Sequence, residues 1–220
     1  ETNKWYFGQN AGLDFSTNPP TALNNGSVNA TRGSSSISDA SGNLLFYTDG
    51  QTVWNQNHAV MPNGTGLFGT TSYIYDQTSL IVKQPGNSNL YYIFTAGGIN
   101  GFCYSVVDMN LSAGTGSVII KNTLIYNFAN CTSNCAMNLV AGTKHCNGTD
   151  YWIVTSDFIW SYGGNSYFKT FLFNSSGIST TPSSYFAEAT HGPGSLKFSS
   201  NGKKLAAASY VTPYNPTYFW

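Results

Sequence analysis

A hairpin pattern that recurs four times along the chain restricts its fold more than any other feature. Each copy is a short apolar strand, a turn of Gly, Asn or Ser, and a second, more apolar strand. The copies are SISDASGNLLFYTDG from Ser36, SLIVKQPGNSNLYYIFT from Ser79, NLVAGTKHCNGTDYWIVT from Asn138 and GSLKFSSNGKKLAAAS from Gly194. The second strands begin near Asn43, Asn89, Asp150 and Lys204, at intervals of 46, 61 and 54 residues. Such spacing is typical of repeats that are arranged around a central axis, such as propeller blades.

Two further strand-like runs bring a unit to four strands. They are clearest in GFCYSVVDMNLSAGTGSVIIKNTLI and SYFKTFLFNSSGISTTPSSY. No segment keeps apolar residues at helical spacing for three turns, so the chain is predicted to be all-β. A four-stranded blade buries both faces by stacking on its neighbours around an axis, which predicts a β-propeller-like repeat. The approximate blade units are 36–75, 79–130, 138–187 and 194–220.

The fourth unit is incomplete, because only its first two strands precede the end of the sequence. Propellers have about 4 to 8 blades. We therefore expect residues 1–220 to form a single domain or the N-terminal part of one, with an incomplete ring that belongs to a longer chain. Residues 1–30, which contain WYFGQNAGLDF, precede the first unit and are a candidate ring-closing strand. The alternative fold is a β-sandwich with irregular hairpins.

The amino-acid composition favours some classes of function and excludes others. Charged residues make up 8% of the chain, against about 25% in a typical domain, and aromatic residues reach 15%. Large aromatic side chains suit the wedge between blades, and low charge is typical of secreted and cell-surface β proteins. Nine basic and nine acidic residues, without a basic stripe, exclude a nucleic-acid partner. No apolar run approaches the ~18 residues of a membrane span, so we expect no membrane insertion.

The start of the chain and its cysteines bear on location. The sequence begins at Glu1, without a Met or a signal-like apolar segment, which suits a mature protein after signal-peptide removal. Its four cysteines fit an oxidising compartment. We therefore expect an extracellular or cell-surface location.

Several motifs together resemble a known class of protein. They are WYFGQNAGLDF, ISDASGNLLFYTDGQTVWNQNHAVMPNGTGLFG, YYIFT, YSVVDMNL, KHCNGTDYWIVT and LKFSSNGKKLAAAS. They are similar to the N-terminal propeller-like region of large surface proteins of gliding bacteria, exported by the type IX secretion route. The resemblance covers nearly all of the 220 residues. It implies an extracellular, motility-associated or adhesin-like protein with PKD or immunoglobulin-like repeats downstream, and it supplies no catalytic residues.

The predicted strand order separates the loops into two groups. Turns that join the first and second strands of a blade lie at one end, and the other loops lie at the opposite end. The sequence HCNG at 145–148 is a turn of the first kind, and Asn-Gly is the expected chemistry there. We therefore interpret His145 and Cys146 as turn residues rather than parts of an active site. The candidate ligand-binding residues fall at the opposite end: Asp49, Asp76, Asp157, Trp160, Tyr162, Glu188 and His191.

These loop residues could serve one of two functions, sugar binding or acid–base catalysis. Trp160, Tyr162 and the glycines at 163 and 164 suggest an adaptable loop that stacks on a sugar ring. Alternatively, two carboxylates about 5–9.5 Å apart could act as acid and base in a glycoside hydrolase. The acids that could form such a pair are Asp49, Asp76, Asp157 and Glu188. We favour binding and predict no catalytic residue, because Asp49 and Asp157 are also ordinary turn formers.

The cysteines superficially resemble a zinc site. Cys131 and Cys135, in the predicted loop from the second unit to the third, give C-x3-C-x9-H-C together with His145 and Cys146. A predicted strand of about six residues, however, separates the two halves by ~20 Å. We therefore predict no metal site and prefer a Cys131–Cys135 disulfide, with Cys103 and Cys146 free, paired elsewhere or buried as small apolar residues. Oxygen ligands for Ca²⁺ are present, but no spacing indicates a site. No cofactor is predicted.

These features together predict a non-enzymatic extracellular module for adhesion or structural interaction. The expected partners are downstream domains of the same chain, other surface or filament proteins, and glycans. One alternative is a propeller-type glycan-binding or glycan-cleaving enzyme. Another is a purely structural cap without a ligand, since a fold does not decide among these functions.

Overall fold

The computed structural model describes residues 3–31, 33–69, 77–97, 100–127, 135–159, 166–187 and 194–209. These residues form 18 β-strands and one 3-10 turn, Ser112–Gly114, and they contain no α-helix. The all-β prediction is therefore confirmed. Within the same residues there is no helix long and apolar enough to cross a membrane.

The strands form five small sheets, which we name A to E in chain order. Sheet A contains β1 (Lys4–Phe7), β2 (Ala11–Asp14) and β3 (Thr21–Leu23). Sheet B contains β4 (Ser35–Ser38), β5 (Leu44–Thr48), β6 (Thr52–Asn55) and β7 (Val60–Thr65). Sheet C contains β8 (Ser79–Lys83), β9 (Leu90–Ala96), β10 (Phe102–Asp108) and β11 (Ser117–Tyr126).

The last two sheets differ in completeness. Sheet D contains β12 (Cys135–Lys144), β13 (Tyr151–Ile159), β14 (Ser166–Asn174), β15 (Gly177–Ile178) and β16 (Ser183–Ala187). Strands β15 and β16 pair with different parts of the same strand, β14. Sheet E contains β17 (Gly194–Phe198) and β18 (Leu205–Ser209). Every strand pair in the described residues is antiparallel.

The sheets follow one another like repeats. Sheets B to E start at Ser35, Ser79, Cys135 and Gly194, and in each of them consecutive strands pair as hairpins. A β-sandwich has two facing sheets, whereas the described residues form five. Residues 4–23, part of the candidate ring-closing segment, form sheet A, whose strands pair with one another. Ring closure by this segment therefore stays a prediction.

The first turn of each of sheets B to E has the same hydrogen-bond pattern. The first residue of the turn accepts a bond from the N–H three positions later, at Asp39–Gly42, Gln84–Asn87, His145–Gly148 and Ser199–Gly202. Gly42, Gly148 and Gly202 have φ of 85°, 78° and 68°, a left-handed conformation that favours glycine. An Asp or Asn carboxylate or amide oxygen caps a backbone N–H in each turn: Asp39, Asn87, Asn147 and Asn201.

Four hydrophobic clusters lie between consecutive sheets. The A–B cluster contains Tyr6, Val28, Ala30, Leu44, Tyr47 and Trp54. The B–C cluster includes Ile37, Phe46, Val53, Met61, Ile81, Tyr91, Ile93 and Val107. The C–D cluster includes Val82, Phe94, Phe102, Val140, Ile153, Phe171 and Phe173. The D–E cluster contains Leu139, Ala141, Val154 and Leu196, with Phe168, Phe198, Leu205 and Ala207 against it.

Neighbouring residues on one strand belong to different clusters, so sheets C and D bury both faces. On β9, Ile93 lies in the B–C cluster and Phe94 in the C–D cluster, and both are 0% exposed. On β13, Ile153 lies in the C–D cluster and Val154 in the D–E cluster. A strand buried on both faces needs a continuous apolar run, which explains sequences such as LYYIFTA in β9.

The first strands of the sheets contact one another in chain order: β1 with β4, β4 with β8, β8 with β12, and β12 with β17. Serine hydroxyls reinforce two of these contacts. Ser35 Oγ donates to the Ser79 carbonyl oxygen at 2.7 Å, and Ser36 Oγ accepts from the Tyr6 N–H at 2.9 Å. Sheets B, C and D therefore place the starts of their first strands side by side.

Truncation of two adjacent residues on β9 tests the burial of both faces. We expect Ile93→Ala to reduce the free energy of unfolding by about 2–5 kcal/mol and Phe94→Ala by about 3–5 kcal/mol, because each leaves a cavity in a different cluster. Urea unfolding measures both. Leu124→Ala, at a residue that is 52% exposed, is the control and is expected to cost under about 1 kcal/mol. A strand with one solvated face would show a large loss for only one of the two β9 variants.

Candidate functional site

The two ends of the sheets carry different structures. We call the end that carries the first turns, 39–43, 84–89, 145–150 and 199–204, the turn end. The opposite end, which carries the β5–β6 loop at 49–51 and where β9 ends and β10 begins, is the loop end. The described residues that end β7, β11 and β16, and those that begin β8, β12 and β17, lie at the loop end as well. This is the end to which the sequence assigned the candidate ligand-binding residues.

Asp49 lies at the loop end, where it closes the β5–β6 turn. Its Oδ1 accepts backbone N–H groups from Gln51 at 2.8 Å and Thr52 at 2.7 Å, and the residue is 8% exposed. Gly50 follows with φ of 89°, and its carbonyl accepts the Gly69 N–H at 2.8 Å. Asp49 therefore has the hydrogen bonds of a turn former.

Two residues that the sequence assigned to loops lie inside strands instead. Cys135 is the first residue of β12 and pairs with Ile159, and Asp157 lies in β13 and pairs with Met137. The β12–β13 ladder extends past a register shift between Met137 and Leu139, so both strands are longer than predicted. The loop placement of Cys135 and Asp157 was wrong for this reason.

The other candidate side chains lie outside the described part of the structure. They are those of Asp76, Trp160, Tyr162, Glu188, His191 and Cys131, together with the side chains of Cys135 and Asp157. The ligand-binding set and the Cys131–Cys135 disulfide therefore stay predictions.

His145 and Cys146 form part of a turn, as the sequence predicts. The His145 N–H donates to the Asp150 carbonyl at 2.8 Å, and the Asn147 N–H donates to His145 Nδ1 at 3.1 Å. Asn147 Nδ2 also donates to Asp150 Oδ2 at 2.8 Å. These bonds give the His, the Asn and the Asp a role in shaping the hairpin.

The structure keeps the two halves of the zinc-like motif apart. Cys135 begins β12 and Cys146 follows its other end, so nine strand residues and His145 separate them by about 30 Å. In the part of the chain that the structure describes, no three His, Cys, Asp or Glu side chains gather as metal ligands would. Cys103 is 1% exposed on β10, and burial raises the pKa of its thiol to about 11, so this cysteine is a poor nucleophile at neutral pH.

A shallow cleft lies at the turn end between sheets C and D. Its volume is about 300 Å³, and its lining includes Lys83, Asn87, Ser88, Thr149 and Tyr151. The Lys83 ammonium lies 5.9 Å from the centre of the Tyr91 ring. This lining offers one cation and several hydroxyl or amide groups, but no pair of carboxylates for acid–base chemistry.

Gln77 is a structural residue that the sequence did not reveal. Its Nε2 donates to the carbonyl oxygens of Val140 at 2.9 Å and Leu196 at 3.1 Å, and its Oε1 accepts the Leu196 N–H at 3.0 Å. Its own carbonyl accepts the Val140 N–H at 2.9 Å, in a parallel bridge with Leu139. One side chain thus joins the segment before β8 to the first strands of sheets D and E.

Polar groups inside the molecule are concentrated towards the loop end. Seven of the eleven buried polar residues among those whose burial the structure describes lie in that half of the sheets: Thr48, Asp49, Thr78, Ser79, Thr95, Ser156 and Lys169. Thr155 Oγ1 donates to the Leu139 carbonyl at 2.8 Å, and Lys169 Nζ lies 5.5 Å from the centre of the Tyr126 ring. Not every buried polar group in this half is paired, since Thr95 Oγ1 has no hydrogen-bond partner among the described residues.

A second polar network ties the segment before β4 to sheet B. The ring of His58 lies between Asn25 Nδ2, 2.9 Å from Nε2, and Tyr47 Oη, 3.1 Å from Nδ1. Tyr47 Oη accepts the Ser27 N–H at 2.8 Å, and Tyr6 Oη donates to Asn25 Oδ1 at 3.1 Å. The neutral His58 ring satisfies both neighbours when Nδ1 donates to Tyr47 and Nε2 accepts from Asn25.

The described part of the loop end thus contains turns and hydrogen bonds between sheets rather than an assembled acid–base pair of carboxylates. Comparison with protein-family models, curated proteins and solved structures found no match for this chain.

Replacement of Gln77 tests its clamping role. We expect Gln77→Ala to lower the free energy of unfolding by about 2–4 kcal/mol, because several hydrogen bonds are lost and the Leu196 N–H loses its partner. The Leu196 amide should also exchange faster with deuterium. Gln51→Ala is the matched control, since its side chain makes one long bond of 3.4 Å to Gly69, and it should cost under about 0.5 kcal/mol. Equal losses in the free energy of unfolding of the two variants would contradict the proposed role of Gln77 in joining the sheets.

His58 is expected to make stability depend on pH. Burial lowers the pKa of His58 below its ordinary value, so on acidification the unfolded chain takes up a proton at this position first. The free energy of unfolding should therefore fall as the pH drops through about 6.5. Urea unfolding at about pH 7.5 and 5.5 measures this loss, which His58→Gln should reduce and His145→Gln should leave in place. An identical pH dependence in all three proteins would contradict the assignment.

Proposed function

We propose that this chain is an extracellular module for adhesion or structural interaction, with its sheets arranged as blades of a propeller-like ring. The observation that carries the proposal is the series of four sheet-to-sheet clusters in chain order, A–B, B–C, C–D and D–E. Such a series buries both faces of the inner sheets and leaves their ends exposed. Loops from several sheets then share one surface.

The contacts between first strands support a radial arrangement. Strands β4, β8, β12 and β17 touch in succession, as inner strands around a common axis do. The parallel bridge between Gln77 and Leu139 also fits neighbouring first strands that run in the same direction. Sheet A departs from the repeat. The Lys4 N–H donates to the Ser38 hydroxyl and the Tyr6 N–H donates to the Ser36 hydroxyl, so β1 runs antiparallel to β4.

The hydrogen bonds of Asp49 favour a binding function over a catalytic one. Its Oδ1 is engaged by two backbone N–H groups, so a turn already uses this candidate carboxylate. The low charge, at 8% of residues, and the aromatic content of 15% suit contacts made by shape and by aromatic faces. We propose surface or filament proteins, downstream domains and glycans as the partners of this surface.

The extracellular location and the surface-protein context rest on the sequence. The resemblance to surface proteins of gliding bacteria supports them. Export by the type IX route is part of the same proposal.

Glycan binding at the loop end can be measured directly. We expect saturable binding to at least one of a panel of neutral, amino-sugar and uronate polysaccharides, without release of reducing ends. Trp160→Ala should weaken binding about tenfold or more, because stacking on a sugar is lost. Leu111→Ala, at an exposed residue near the turn end, is the control and should bind normally.

Two outcomes would contradict the proposed function. Turnover of a polysaccharide that Asp157→Asn abolishes would favour a glycoside hydrolase. Absence of binding both to the panel and to isolated bacterial surface proteins would remove the adhesive role and leave a structural cap.

A further inference from the structure

The cleft between sheets C and D at the turn end has two polar walls. Lys83 and the turn at 84–88 line it from sheet C, and Thr149 and Tyr151 line it from sheet D. Its volume of about 300 Å³ lies at the lower limit of ligand pockets. The cleft therefore suits a single small residue of a polymer rather than a long stretch of chain.

Hydrogen bonds within the protein hold both walls in position. Gln84 Nε2 donates to the Ser175 carbonyl at 3.0 Å, which joins the first turn of sheet C to the β14–β15 turn of sheet D. Asn87 Oδ1 accepts two backbone N–H groups of its own turn, and Asn147 Oδ1 does the same in sheet D. A ligand that binds here orders few protein groups, which lowers the entropic cost of binding.

Several hydrogen-bond donors of the sheet C wall remain free. The Lys83 ammonium lies 5.9 Å from the centre of the Tyr91 ring and forms no ion pair with a described residue. The oxygen of the Asn87 side chain is used within the turn, so its Nδ2 is left to donate. In the described part of the chain, the backbone N–H groups of Gly86 and Ser88 have no acceptor. One cation among these donors favours a ligand with oxygen acceptors and a negative charge.

The charge of the lining matches one carboxylate. Among the described residues that line the cleft, Lys83 alone is charged. The neighbouring Asp150 carboxylate belongs to the first turn of sheet D, where it accepts from Asn147 Nδ2 at 2.8 Å and from the Thr149 hydroxyl at 3.3 Å. A phosphate group, with close to two negative charges, would leave part of its charge without a partner.

Tyr151 adds an aromatic surface to this polar lining. Its side chain is partly exposed, and its ring lies 6.5 Å from the ring of Phe173 in the C–D cluster, which anchors it. Aromatic rings pack against the C–H faces of sugars. A carboxylate, hydroxyl groups and a sugar ring occur together in a uronate residue.

We propose that this cleft binds a uronate residue of an acidic polysaccharide, whose carboxylate pairs with the Lys83 ammonium while the sugar ring lies against Tyr151. Asn87 Nδ2 and the Ser88 hydroxyl, which accepts from Asn89 Nδ2 at 2.9 Å and keeps its own proton to donate, bind the remaining oxygens. The inference goes beyond the proposed function, because this site lies at the turn end and uses no residue of the loop end.

Titration of the full chain with a glucuronate oligosaccharide tests the proposal. We expect saturable binding that Lys83→Ala weakens about tenfold, because a charge-assisted hydrogen bond is lost. Lys203→Ala is the matched control and should bind normally, since Lys203 is also exposed, lies in the equivalent turn of sheet E and removes the same charge. An unchanged midpoint of urea unfolding verifies that each variant is folded.

Two further measurements locate the site and identify its ligand. The amide signals of Gly86, Ser88 and Thr149 should shift in nuclear magnetic resonance spectra during the titration, whereas those of the turn at 199–204 should not. Polyglutamate carries carboxylates without a sugar ring, and a glucose oligosaccharide carries the ring without the charge. Each should bind about tenfold more weakly than the glucuronate oligosaccharide.

Three results would overturn the proposal. Equal losses of affinity in Lys83→Ala and Lys203→Ala would show a general attraction between the protein and an anionic polymer. Equal affinity for polyglutamate would show recognition of carboxylates alone, as in an acidic peptide. Signal shifts confined to residues outside the cleft would place the ligand elsewhere. The loop-end assay depends on Trp160 and not on Lys83, so either binding site can fail while the other stands.

Discussion

Burial of both faces of each inner sheet between its neighbours is the constraint on which the rest of the structure depends. A fully buried Phe or Ile side chain contributes about 1.5–3 kcal/mol, and residues such as Ile93 and Phe94 contribute to two different interfaces from adjacent positions. A single sheet of this kind would expose both of its apolar faces to water. Each inner sheet therefore depends on its two neighbours for stability, as in other repeat architectures.

Polar contacts determine how the sheets align once their faces are buried. The hydrophobic effect is non-directional, so apolar clusters alone would tolerate sliding of one sheet over the next. Ser35 with Ser79, and Gln77 with Val140 and Leu196, connect first strands through hydrogen bonds of defined geometry. These bonds lie towards the loop end, where most of the buried polar residues also lie. The surface proposed to bind a partner is thus formed at the end of the sheets where their alignment is most closely specified.

Local sequence patterns predicted the elements better than they predicted the contacts between them. The all-β class and the turn at His145 followed from alternating apolar runs and from Asn-Gly, which act within a few residues. Asp157 was assigned to a loop as a turn former, and Cys135 because it lies between two predicted units, but ladder pairing across a register shift extended β12 and β13 through them. Gln77 could not be found from sequence, since its partners Val140 and Leu196 are 63 and 119 positions away.

We propose that sheets B to E are repeats related by rotation about one axis. A crystal structure of the full chain, with each sheet superposed on the next, tests this arrangement. We expect the rotations from B to C, C to D and D to E to share a single axis, with β4, β8, β12 and β17 nearest to it. Rotations about unrelated axes, or first strands at different distances from a common centre, would contradict it.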